Sequence, residues 1–144
     1  MRHIFAAVAD SRPMVYSTKV QFPKTMRSID PQSLLPLKPE TFHILLILAD
    51  HPLHGYGIIQ EVERETEGRI RLEPSPLYRR LKRLMDLEVV RQVQPDPPAT
   101  DERRTYYDLT RFGHRVVEAE AARITQLAKQ RSVKALAALA TRPR

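Results

Sequence analysis

The chain contains no cysteine, which excludes disulfides, thiolate zinc sites and cysteine nucleophiles together and fits a reducing compartment. Glycine is scarce, with four in 144 residues. No phosphate-cradling glycine loop, Gly-x-Ser-x-Gly or His-Glu-x-x-His arrangement occurs, so no catalytic residues are expected and the chain is not read as an enzyme. Long apolar runs are missing too. The longest, Ile44 to Ala49, falls far short of the roughly 20 residues that span a bilayer. Near the N-terminus, the short stretch Ile4 to Ala9 runs straight into Asp10, which is not a secretory signal. These absences predict a cytoplasmic protein with no membrane partner and no cofactor.

What the chain does have is enough apolar content for a moderate core, 42%, and a formal charge of +7. That charge is unevenly placed. Residues 1–37 and 111–144 are basic, whereas 38–110 is slightly acidic and polarised, with Glu61, Glu63, Glu65 and Glu67 in one stretch and a run of arginines in another. Net charge alone implies only nonspecific attraction to nucleic acid or acidic surfaces; the polarity implies orientation.

Residues 1–37 mix Pro13, Pro23, Pro31 and Pro36 with scattered charges and hold no sustained period. They are expected to form a disordered tail or a mis-started segment, with Met26 an alternative start. A helix then opens at Lys38-Pro39-Glu40. Its run from Phe42 to Ala49 is apolar on nearly all sides, so Leu45 and Leu46 are expected to meet a second subunit. Asp50 to Gly55 forms the turn that follows. His51 and His54 there, beside Asp50, are read as capping and packing residues rather than metal ligands. Tyr56 to Glu67 is the next helix, with Gly68 as the residue just past its cap, and Arg69 to Leu72 alternates like a short edge strand.

Ser75 to Leu84 carries a helix start, an apolar stripe and a basic face together. Ser75 can cap and Pro76 fits the first helical position. At about 100° per residue, Leu77, Leu81, Leu84 and Met85 gather on one side, Ser75, Arg79, Lys82 and Arg83 on the other, with Tyr78 and Arg80 on the flanks. No acidic residue lies between Glu73 and Asp86, so the basic face suits a phosphate partner. Strands are predicted over Val89–Gln94 and Arg104–Leu109, joined by the loop Pro95–Asp101. Thr110 then caps a final helix running to Leu139. In it Val117, Ala121, Ile124 and Ala128 follow 4-3-4 spacing with Leu127 beside them, a dimerisation stripe.

Helix, helix, short strand, helix, strand, projecting loop and strand form the element order of a winged helix. The predicted fold is therefore mainly α with a small β-hairpin: a winged helix-turn-helix at 38–109 and a dimerisation helix at 110–140. Its third helix would enter the major groove of double-stranded DNA. Ser75, Pro76, Tyr78, Arg79, Arg80, Lys82 and Arg83 would be the contacts there, with Arg103 and Arg104 where the wing returns. A winged helix used only for protein contacts is the rival reading.

His54-Gly55-Tyr56-Gly57-Ile58, then Ser75-Pro76-Leu77-Tyr78-Arg79-Arg80-Leu81, then Tyr106-Tyr107-Asp108-Leu109-Thr110 with Gly113 after it, resemble the PadR family of bacterial winged-helix transcriptional regulators. The resemblance covers roughly residues 37–130. It implies a homodimer bound to an inverted-repeat operator, usually as a repressor, with a long C-terminal helix paired to the partner as in the shorter PadR subgroup. In some members, it implies, a small aromatic or cationic effector near the dimer interface controls release. Two positions depart from the family. Gly-Thr commonly stands between its serine-proline and Leu-Tyr pairs. If Pro74 takes the place of that proline, Ser75 and Pro76 replace Gly-Thr and the cap moves by one or two residues. Family members also usually carry glycine where Glu88 stands. A left-handed glutamate there would be strained by about 1 kcal/mol, so a turn of different construction is expected.

Overall fold

Proline positions set two of the helix starts. A computed structural model of the protein describes residues 29–94 and 103–143, and helix α1 begins at Pro39 with Lys38 as its cap residue (Pro39–Asp50). Its missing N–H is one of those a first turn leaves unpaired anyway. Strand β1 (Leu53–His54) leads into α2 (Gly55–Glu65), whose cap is His54. Helix α3 (Pro74–Asp86) follows, then β2 (Val90–Val93) and β3 (Tyr106–Leu109). Thr110 caps α4 (Arg111–Ala128), its hydroxyl accepting from the Gly113 N–H, and α5 (Arg131–Ala140) completes the chain.

The three strands form one antiparallel sheet in the order β1-β3-β2. Leu53 faces Tyr107 and His54 faces Tyr106 on one side; Val90 to Val93 pair with Leu109 to Tyr106 on the other. The strand expected at Arg69–Leu72 does not form, and Leu53–His54 takes the third place instead. Its two residues carried no alternation to betray it; they pair because the turn before α2 lies along the free edge of β3.

One core joins α1, α2, α3, the sheet and the first half of α4, with Ile44, Leu45, Leu48, Ile58, Val62, Leu77, Leu81, Leu109 and Val116 at its centre. Leu45 and Val117, expected at a subunit interface, belong to this core, at 0% and 6% exposure. They cannot meet a partner without dismantling their own domain. Leu46, Ile124, Leu127 and Ala128 are exposed and Ala121 is half-buried.

Residues 29–37 also differ from the expected tail. Pro31–Leu34 form a 3-10 turn capped by Asp30, and Leu34, Leu35 and Leu37 pack against the core. Glu120, 1% exposed, anchors this segment by accepting the Leu37 N–H at 2.6 Å and a hydrogen bond from the Arg123 guanidinium. Residues 1–28 and the loop tip Pro95–Asp101 lie outside the described residues. The C-terminal helix is two helices, not one to Leu139: Gln130 is extended between α4 and α5. Neither proline nor glycine marks the joint, but Lys129-Gln130-Arg131-Ser132 offers no apolar side chain to hold a continuous rod against anything.

Two helix ends are left-handed turns. After α2, Glu67 and Gly68 both have positive φ, 53° and 78°, and the Gly68 N–H reaches the Glu63 carbonyl at 2.8 Å. The residue just past the cap Thr66 is thus Glu67, one before the expected Gly68. After α3, Glu88 has φ 57°. Its N–H donates to the Met85 carbonyl, and that of Val89 donates to the Leu84 carbonyl, each at 2.9 Å. This is the paired closure usual for a glycine-ended helix, so the expectation of a differently built turn is overturned: glutamate takes the glycine conformation.

Candidate nucleic-acid interface

The start of α3 is decided by its two prolines. Glu73 is the cap residue, without a side-chain cap bond, and Pro74 is the first helical residue. Ser75 and Pro76 therefore lie inside the first turn, where the N–H that proline lacks would have no helical partner. The expected cap at Ser75 moves by two residues, as the alternative placement of Pro74 required. Ser75 instead accepts a hydrogen bond from Arg79 at 3.1 Å.

The apolar stripe is seated as its spacing demands, with Leu77, Leu81 and Leu84 buried. Ser75, Pro76, Tyr78, Arg79, Lys82 and Arg83 are exposed. The basic face is not wholly unpaired: Lys82 Nζ lies 3.7 Å from the Asp86 carboxylate, both well exposed, so solvent screens the pair. Arg80 departs from the expected set. It is half-buried and donates to the Thr41 hydroxyl of α1 at 2.9 Å, tying α3 to the first turn of α1.

Glycine explains how α2 and α3 fit together. A Cβ on Gly55 would stand 2.3 Å from the Tyr78 hydroxyl oxygen, so the tyrosine ring lies directly over the start of α2. Beneath it Tyr107 is buried, and burial, aided by the nearby Tyr78, raises its phenol above the usual range. His54, on the same turn, accepts the Gly57 N–H on Nδ1 at 3.0 Å and sets its ring edge-on to Tyr106, 5.3 Å between centroids. Its Nε2 is 2.8 Å from Arg104 Nη1. The wing-root arginine is thereby brought to the start of α2. Arg103 is exposed beside it. On the far side of β3, Asp108 is buried and pairs with Arg91 at 3.2 Å. His51 pairs with Asp50 at the same distance. Among the described residues no three metal-ligating side chains cluster.

A profile of the transcriptional regulator PadR-like family matches residues 44–119, more than half of the chain. The chain belongs to this family. PadR-like proteins are transcription regulators, not enzymes. The matched span runs from the core of α1 into α4, so it holds the whole helix-turn-helix and the sheet. No curated protein matches the chain. Among solved structures, a transcriptional regulator from Clostridium thermocellum shares 21% identity and a TM-score of 0.53, over 62% of this chain and 85% of that one. RosR of H. salinarum gives 20% and 0.52, over 74% and 91%. ZitR of Lactococcus lactis gives 16% and 0.51, over 87% and 75%. At these identities the likeness is one of fold. No helix among the described residues of this PadR-like chain is long and apolar enough to cross a membrane.

Sequence reasoning missed two residues that fix the positions of these elements: Thr41 anchors Arg80, and Glu120 anchors the N-terminal segment. Glu120 left a signal, a charge on the same helical face as Val116 and Val117. His54, read from the sequence as a capping and packing residue, does both, capping α2 and packing edge-on against Tyr106.

Proposed function

We propose that this PadR-like chain is a sequence-specific repressor. It acts in the cytoplasm as a homodimer on an inverted-repeat operator, with α3 in the major groove. The observation that carries this reading is the division of α3: three leucines buried, and Ser75, Arg79, Lys82 and Arg83 outward. A groove about 12 Å wide admits such a helix, and arginine pairs bidentately with guanine edges. Arg79 and Arg83, one turn apart, are the base-reading candidates. Lys82, already beside Asp86, and Arg103 and Arg104 at the wing root suit the phosphate backbone. Ile124, Leu127 and Ala128 of α4, with Leu46 of α1, are the candidate dimer contacts. An effector would act near that interface.

The test begins by selecting bound fragments from random-sequence DNA and measuring affinity for the enriched site. Arg79→Ala or Arg83→Ala should cost about 1–3 kcal/mol at that site and relax the preference at one position. Affinity should fall with salt at a log–log slope near −0.9 per phosphate contact. If no sequence is enriched and both variants bind like the parent, the basic face serves a protein partner instead.

A further inference from the structure

Arg79 and Arg83 stand one turn apart on α3, yet they are not held alike. The Arg79 guanidinium donates through Nη1 to the Ser75 hydroxyl at 3.1 Å, four residues back along the helix. The position four back from Arg83 is Arg79 itself, which has no acceptor to offer, and Asp86 on its other side pairs with Lys82 at 3.7 Å. The anchor of the Arg79 tether is rigid. Ser75 stands between Pro74 and Pro76 in the first turn of α3, and the two rings fix φ on either side of it. Its hydroxyl has no capping duty, because the cap residue is Glu73.

Reading a base edge requires a guanidinium held in one plane. An arginine loses much rotamer freedom when it is fixed there, and a bond made before docking removes part of that loss. Ser75 takes one of the five guanidinium N–H donors, and the four that remain exceed the two that a guanine edge accepts. In the free chain this bond is exposed, and water competes for both partners. Inside a groove that excludes water the same bond strengthens. We infer that Ser75 is a positioning residue, which aims Arg79 at its base, rather than the direct DNA contact that the sequence suggests; the inference rests on the DNA-binding reading above.

Affinity of the full chain should be measured for the site enriched from random-sequence DNA and for a random-sequence duplex, at one salt concentration. Ser75→Ala should weaken binding to the first about 3- to 10-fold and leave the second as it is, since Arg79 keeps its charge for phosphates. Ser75→Thr, which keeps the hydroxyl, should bind the site like the parent. In an Arg79→Ala background, adding Ser75→Ala should cost nothing further. A serine that touches DNA itself would cost the same in both backgrounds, and that result would overturn the inference. So would a Ser75→Ala chain that binds the site like the parent, or a threonine variant as weak as the alanine one. Alanine is the best helix former, so the urea midpoint of Ser75→Ala should not fall. In the free parent, 15N relaxation at the guanidinium Nε should find Arg79 more ordered than Arg83, a readout that needs no variant to fold; equal mobility of the two would overturn the inference. A parent that enriches no sequence would overturn the DNA reading itself, before any variant is compared.

Discussion

Glu88 holds a backbone conformation that glycine adopts freely and other residues adopt at a cost. Its φ of 57° closes α3 in the same way as a glycine would, because the two carbonyl acceptors at the helix end leave no other economical turn. Glu88→Gly is therefore expected to stabilise the chain by about 1 kcal/mol, read as a higher urea midpoint at unchanged slope. Gly113 shows the opposite demand. A Cβ there would meet the Val89 carbonyl oxygen at 2.1 Å, so the first turn of α4 lies in backbone contact with the residue that precedes β2 and glycine is required. At this scale the sequence was readable where a residue has one use, as in the buried leucines of α3. It was opaque where side chains choose between partners. Arg80 could equally have faced DNA or Thr41, and only the position of α1, a long-range fact, decides.

Among the elements, α4 is tied to the N-terminal segment by a buried carboxyl as well as by apolar packing. Burial pushes the Glu120 carboxyl up, but hydrogen bonds from the Arg123 guanidinium and the Leu37 N–H, with the charge of Arg123, outweigh it and hold the group below its ordinary 4.5. The folded state therefore binds this proton less readily than the unfolded chain. The resulting stability is complete above the ordinary value and is lost as pH falls through the lower, folded one. Glu120→Gln should cost about 1–3 kcal/mol at pH 7. The difference from the parent should vanish in acid, which a series of urea unfolding curves from pH 7 downward would show. Helix existence and type were legible from period and proline placement. The break at Gln130 and the two-residue strand β1 were not, since one lacks a breaker residue and the other is created by its neighbour β3.

For the molecule as a whole, the surface of α4 beyond Glu120 changes character. Ile124 and Leu127 are 38% and 44% exposed, and Leu136 and Leu139 of α5 more so, whereas Val116 and Val117 are consumed by the core. Replacing Ile124 and Leu127 together by glutamate should leave thermal unfolding little changed and yield a monomer in sedimentation velocity. A parent that sediments as a dimer would support the proposed homodimer, and a variant that stays dimeric would place its interface elsewhere. The architecture was foreseen because the order of elements and three short motifs all point to a winged helix. Which apolar residues face inward was not, since the heptad spacing is the same for a core and for an interface. Thr110 joins the end of α3 to the start of α4. Its hydroxyl accepts the Gly113 N–H at the start of α4 and donates to the Glu88 carbonyl at the end of α3, while its N–H reaches the Val89 carbonyl at 3.1 Å. Neither helix end can fray by itself. In hydrogen exchange the amides of Leu87 to Val89 and of Gly113 to His114 should open as one unit with one free energy, and Thr110→Val should split that unit in two.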